Sequence, residues 1–361
     1  MRALAAVLRD RRGGYTIEEL TLDEPDVGEV CVRIAGAGLC HTDLLPRAAK
    51  DIPLPIVCGH EGSGVVEAVG PGVTDLAIGD HVVLSFDSCG ECRSCGAGRP
   101  SYCTTFFARN LSGRRVDGST NARDIAGEQV STRWFGQSAF ATHAVVTAAN
   151  AVKVDSALPL ELLGPLGCGF QTGAGAVLNS LDVQAGSSIM IFGAGAVGLA
   201  AIMAARVAGA STIVAVDLNP DRLELAAKYG ATHTFDGIID SLPKQLRQAT
   251  AGADYALDTT GIPAVIGTAI DALSPLGVCG LLGVQRGDLS INPVQLAMGR
   301  TVKGIVEGDA VPHLFIPRLI DLWQRGEFPF TDFIKTYSLG EIGEAEKAVL
   351  RGSVVKPVLI P

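Results

Sequence analysis

The run SSIMIFGAGAVG, from Ser187 to Gly198, constrains this chain more than any other stretch. An apolar segment of strand length ends at Phe192, and Gly193, Gly195 and Gly198 follow with G-x-G-x-x-G spacing before a helix-forming run. The first glycine permits a tight turn and the second lets backbone approach a pyrophosphate. The third lets the helix lie close to the strand, with its N-terminus turned towards phosphate charge. The same rhythm continues through "STIVAVD", "PDRLELAAKYG", "ADYALDTTG" and "GVCGLLGV", which predicts a doubly wound parallel sheet of the α/β class. Asp217 closes the second strand, where its carboxylate can accept from a ribose 2′-hydroxyl and would repel a 2′-phosphate. NAD is therefore expected rather than NADP, with Arg222, one turn further on, placed to cover the adenine.

That sheet accounts for only part of 361 residues, and a chain of this length is expected to form two domains. The first 150 or so residues read as short β segments broken by Gly, Pro and Asp, among them "EVCVRIAGAG", "GSGVVEAVG" and "DHVVLSF". After Lys303 the alternation fades into helical stretches around "PRLIDLWQRG" and "EIGEAEKAVLRG" and a terminal strand-like "KPVLIP". This tail is short for a domain of its own, so it is expected to return to the first.

Cys89, Cys92, Cys95 and Cys103 form C-x2-C-x2-C-x7-C, which gathers four thiolates from one loop into a closed tetrahedron. Such a site is structural, and zinc is the expected ion. Four of the nine cysteines at such spacings, with the rest scattered, point to metal use in a reducing compartment rather than to disulfides. The balance of 29 basic against 38 acidic residues, with no Lys/Arg block, argues against nucleic acid as a partner. Met1 to Asp10 does not resemble a secretory leader, and no apolar run is long enough for a membrane helix, so a cytoplasmic protein is expected.

A second group is dispersed: Cys40 in "GLCHTD", His60 in "GHEGSG" and Cys168 in "GCGFQTG". Two Cys and one His can hold a catalytic zinc with a fourth position open. Taken singly, each is equally a small buried thiol or a satisfied polar side chain, and their separation in sequence does not bring them together.

The stretch GHEGSGVVEAVGPGV, Gly59 to Val73, resembles the zinc signature of the medium-chain alcohol dehydrogenases. The four-cysteine loop, "CHTD", "GCGFQTG", "GAGAVG" and Asp217 follow in that family's order along nearly the whole chain. The resemblance implies a GroES-like, mostly β catalytic domain over 1–165 and 305–361, with a structural zinc lobe at 86–104. A Rossmann NAD-binding domain would occupy 166–304, with the active site in the cleft between the two. It also implies two zinc ions per chain and a homo-oligomer, dimer or tetramer, joined through cofactor-domain sheets. "EGDAVPHLFIPRLIDLWQRGEFPF" and "WFGQSAFATH" look similar to the aryl-alcohol branch.

Carried over by position, the resemblance makes Cys40, His60 and Cys168 zinc ligands, Glu61 a nearby acid able to visit the metal, and Asp43 the carboxylate that orients His60. Thr42 would take the alcohol proton. The histidine that ends this relay in some relatives falls at Leu45, which cannot carry a proton, so release through the ribose and water or through His41 is expected. His41 and Lys356 are implied at the cofactor pyrophosphate and Val284 beside the nicotinamide. Leu45, Phe86, Trp134 and Phe135 fall on positions that line the alcohol pocket; three are aromatic, which suits a benzyl, cinnamyl or terpenoid primary alcohol. Two other readings stay open: oxidation of a thiol adduct, which would need a cationic mouth that the sequence does not display as a cluster, and a silent NAD-binding subunit.

Overall fold

The computed structural model describes residues 1–284 and 287–361, and the chain divides into two compact units. The first comprises Met1–Cys168, Val311–Ile320 and Phe330–Pro361; the second comprises Gly169–Ala310 and Asp321–Pro329.

Two β sheets build the first unit. Its longest strand, Glu29–Gly38, is rich in β-branched residues and buried along most of its length, as a strand covered on both faces must be. It pairs antiparallel with Glu61–Val69 on one side, and at its ends with His143–Thr147 and Lys356–Ile360. The last of these strands brings the C-terminal segment into the first unit, with Leu359 opposite Ala37 and Val358 opposite Gly38. A second sheet runs through Arg2–Leu8 and Tyr15–Leu22, paired in antiparallel register from Arg2 opposite Thr21 to Leu8 opposite Tyr15.

The second unit holds a six-stranded parallel sheet. Its spatial order is His233–Asp236, Thr212–Asp217, Ser188–Phe192, Ala253–Asp258, Leu273–Leu281, Thr301–Gly304. In chain order this is 3-2-1-4-5-6, the arrangement whose reversal point binds dinucleotides. Met190, Phe192, Val214, Leu246, Ile266 and Ile270 fill one side of the sheet. Asn219 caps the helix Pro220–Tyr229 by accepting from the Asp221 amide at 2.9 Å, and proline at the first helical position needs no donor there.

The unit boundaries differ from the expected 166 and 304 for physical reasons. The turn Glu307–Asp309 packs on the helix Gly169–Gly175, where the Thr172 hydroxyl donates to Glu307 at 3.3 Å. Residues 321–329 join the same unit because Arg206 donates to the Glu327 carbonyl at 2.8 Å and Phe328 meets Phe170 edge-on at 6.5 Å between centroids.

Candidate metal centre and cofactor site

The four-cysteine loop folds so that its ligand atoms face one point. Cys92 and Cys95 sulfurs lie 3.6 Å apart and Cys89 and Cys95 sulfurs 4.0 Å apart. A disulfide would need about 2.05 Å. Four thiolates about 2.3 Å from one zinc stand about 3.8 Å from each other, so the spacing fits the ion. Amide groups of Cys89 and Cys92 donate to the sulfurs of Cys103 and Cys89, each at 3.3 Å, which favours thiolate. Backbone hydrogen bonding at Cys95 brings the Cys92 thiol down to about 5, while burial pushes Cys95 up to about 12. Among the described residues no cysteine forms a disulfide.

The dispersed residues converge as well. Ligand atoms of Cys40, His60, Glu61 and Cys168 all lie within 4.8 Å of one another. Asp43, wholly buried, organises this group. One carboxylate oxygen lies 2.8 Å from His60 Nδ1 and accepts from the Gly59 amide at 2.9 Å; the other accepts from the Cys40 amide at 3.0 Å. A carboxylate accepts, so Nδ1 carries a proton, and the neutral imidazole that a metal would take presents its lone pair at Nε2. Nε2 is buried and has no hydrogen-bond partner among the described residues. An orphaned imidazole nitrogen beside two thiols in a buried site is what a borderline-soft cation requires. Hydrogen bonding from Cys168, against burial and aided by Lys356, holds the Cys40 thiol well below its usual range.

Cys168 reaches the group because Gly167 lies flat on the neighbouring strand: its carbonyl accepts from the Ser85 hydroxyl at 2.6 Å, and a Cβ there would sit 1.9 Å from the Leu84 carbonyl oxygen. Gln137 has no role assigned from sequence, yet it accepts from the Gly62 amide at 3.0 Å and donates to the His60 and Ser85 carbonyls at 2.9 and 3.1 Å. Its signal was the polar residue inside the aromatic run "WFGQSAF".

Lys356 occupies a different setting from the expected pyrophosphate contact. Its ammonium is buried, 2% exposed, and donates to both oxygens of Glu61 at 2.8 Å. Burial works to lower the lysine pKa, but the charges of Glu61 and Cys40 more than reverse it; burial raises that of Glu61. The pair therefore holds two charges in low dielectric beside the thiols.

Thr42 is half-buried, with its hydroxyl 3.8 Å from the Cys40 sulfur; His41 is exposed and Leu45 half-buried. Phe135 stacks on His60 at 4.5 Å between ring centroids. It adopts φ +51°, unusual for an aromatic residue, and the loop is pinned by Ser138, which accepts from the Trp134 amide at 2.8 Å and donates to Val57 at 2.6 Å. Trp134 is fully buried and meets Phe135 edge-on at 5.6 Å, so it supports that ring from behind. Phe86 is buried against Phe106, a ring that the sequence reading does not single out.

In the second unit Gly193 has φ +91°, and a Cβ on Gly198 would stand 1.8 Å from the Gly193 carbonyl, so helix and strand approach as closely as the motif demands. Gly195 opens the helix Ala196–Val207, and a Cβ there would meet only the Arg222 guanidinium, at 3.7 Å. Asp217 accepts from the Ala194 amide at 2.6 Å and the Asn219 amide at 2.9 Å, which fixes its carboxylate at the strand end. Val284 lies beyond its strand and is 63% exposed, so it is not a core residue.

Residues 26–156 match the model of the alcohol dehydrogenase GroES-like domain, and residues 196–325 that of the zinc-binding dehydrogenases. The chain belongs to the zinc-dependent alcohol dehydrogenase family. A geraniol dehydrogenase of Castellaniella defragrans is 48% identical over 99% of this chain and 97% of its own length. Among solved structures, benzyl alcohol dehydrogenase from Acinetobacter calcoaceticus is similar with a TM-score of 0.96 at 42% identity, covering 100% of this chain and 99% of that one. An alcohol dehydrogenase zinc-binding domain protein from Burkholderia ambifaria gives 0.97 at 49%, with coverage of 100% and 99%. The dehydrogenase thus has a GroES-like unit and a Rossmann unit, with zinc and a nicotinamide dinucleotide as cofactors. No described helix is long and apolar enough to cross a membrane.

Proposed function

We propose that this dehydrogenase oxidises primary alcohols bearing an aromatic ring or an allylic double bond to their aldehydes, reversibly, with NAD as hydride acceptor. The observation that carries the reading is the convergence of half-buried Cys40 with buried His60 and Cys168, and an imidazole nitrogen without a partner among the described residues. Bound there, zinc would supply Lewis acidity that lets an alcohol lose its proton near neutral pH, and NAD would take up the hydride. Cys40, His60 and Cys168 hold the metal, and Asp43 sets the tautomer of His60. Glu61 stands by, retained by Lys356. The Thr42 hydroxyl, 3.8 Å from the Cys40 sulfur, would accept the alcohol proton and pass it on through exposed His41 or, with NAD bound, towards its ribose and water. A His41→Ala variant with an unaltered pH–rate profile removes His41 from that route.

Phe135 and the apolar Leu45 present the substrate face, with Phe86 and Trp134 behind. Flat apolar rings favour another π system. The relatives named for geraniol and benzyl alcohol support the same substrate class. Gly193, Gly195, Gly198, Asp217, Arg222 and Val284 would hold NAD: the glycines its pyrophosphate, Asp217 a ribose hydroxyl, Arg222 the adenine and Val284 the nicotinamide. The catalytic domain is assigned to 1–165 and 305–361 and the NAD domain to 166–304, each adjusted by the unit boundaries above. A substrate panel tests the reading: benzyl alcohol and geraniol should exceed ethanol in kcat/KM, and NAD should exceed NADP. The reverse order for ethanol defeats the pocket assignment.

Two further parts of the proposal concern setting. Nine cysteines, none of them in a disulfide, suit the cytoplasm. The strand Thr301–Gly304 ends its sheet, and beside it Leu276, Val294 and Met298 are 77%, 75% and 60% exposed, which favours a homo-oligomer joined at this edge. Light scattering that gives a monomer mass rejects it.

A further inference from the structure

Arg109, Arg114, Arg115 and Arg133, scattered along 25 residues of sequence, come together on the walls of one cavity of about 470 Å³ in the first unit. Two buried carboxylates face them. Glu29 accepts from Arg115 through both oxygens at 2.7 Å and lies 3.4 Å from Arg133. Asp87 accepts from Arg109 at 3.2 Å and from the Thr147 hydroxyl at 3.3 Å. A third carboxylate, Asp117, is exposed and accepts from the Ser119 amide. Among the described residues Arg114 pairs with no carboxylate: it donates to the Gly118 carbonyl at 3.3 Å, and its buried Nε has no hydrogen-bond partner there.

Four guanidiniums against the three carboxylates of Glu29, Asp87 and Asp117 leave a surplus of one positive charge in the lining, within a chain of net charge −9. Nothing in that overall charge calls for it. A guanidinium fork matches the oxygens of a phosphate. None of Cys40, His60, Glu61 and Cys168 lines the cavity, whereas Cys89 does. We propose that this cavity binds a phosphate group, free or carried on a small organic molecule, through Arg114 with Arg109 and Arg115 around it. Occupancy would brace the loop that presents the four thiols.

The test is calorimetric titration of inorganic phosphate into zinc-loaded enzyme saturated with NAD, so that the pyrophosphate site is filled, at matched ionic strength in chloride. One phosphate per chain is expected, with affinity at least about tenfold weaker in R114Q and with zinc content and alcohol turnover unchanged. R114K, which keeps the charge and loses the fork, is expected to fall between. Glycerol 3-phosphate binding more tightly than phosphate assigns the cavity to an organic phosphate; equal binding assigns it to the free ion. Absence of binding, or equal affinity in R114Q, overturns the proposal. So does loss of zinc from R114Q without any phosphate binding to the parent enzyme, since the arginines would then serve only to balance the thiolates.

Discussion

The two cysteine sites reach similar ligand sets by opposite routes. Four thiols between Cys89 and Cys103 come from one loop, carry their own backbone donors and leave no vertex free. Cys40, His60 and Cys168 come from three distant segments and depend on Asp43, Gln137 and the Ser85–Gly167 hydrogen bond to meet. A site that only holds structure can be local. One that must leave a vertex open for a reactant is built from deep, separately anchored backbone.

The largest effect expected is from His60→Ala. Benzyl alcohol turnover should fall to background and elemental analysis should find one zinc per chain rather than two, with the loop ion retained. Equal loss of both ions would break the contrast. Cys95→Ser should act the other way, removing the loop zinc and lowering Tm by on the order of 10 °C while turnover at low temperature stays within about threefold. Lys356→Met leaves Glu61 buried without its cation, and unfolding should show a loss of about 3–5 kcal/mol. Adding Glu61→Gln should restore much of it; a strictly additive double variant would mean that the pair is not coupled. The smallest effect is from Asp43→Asn, with a loss of about 10- to 100-fold in zinc affinity, measured by competition with a chelator. The same change should leave the four-cysteine ion untouched.

What could be read from sequence follows the same division. The loop site and the glycine turn are legible because their chemistry sits in short spacings: C-x2-C-x2-C-x7-C fixes four sulfurs, and strand, glycines, helix and Asp217 lie within one βαβ unit. The dispersed ligands were readable only through family likeness, because no local pattern says that residues 40, 60 and 168 are neighbours. Gln137 and the partner of Lys356 were beyond reach for a related reason. Their roles depend on hydrogen bonds across 75 and 295 positions of chain, which no periodicity encodes. Trp134 and Phe135 illustrate a finer limit, since adjacent aromatics look alike in sequence, yet one is backing and the other stacks on the imidazole.

The clasp between Lys356 and Glu61 also bears on how the enzyme is made. Glu61 leaves the ribosome before its counter-ion, which follows 295 positions later on the strand Lys356–Ile360. Nascent chains halted short of that strand would carry a complete set of thiols and imidazole around an uncompensated negative charge. Maturation of the reactive pocket is thereby tied to synthesis and docking of the strand Lys356–Ile360.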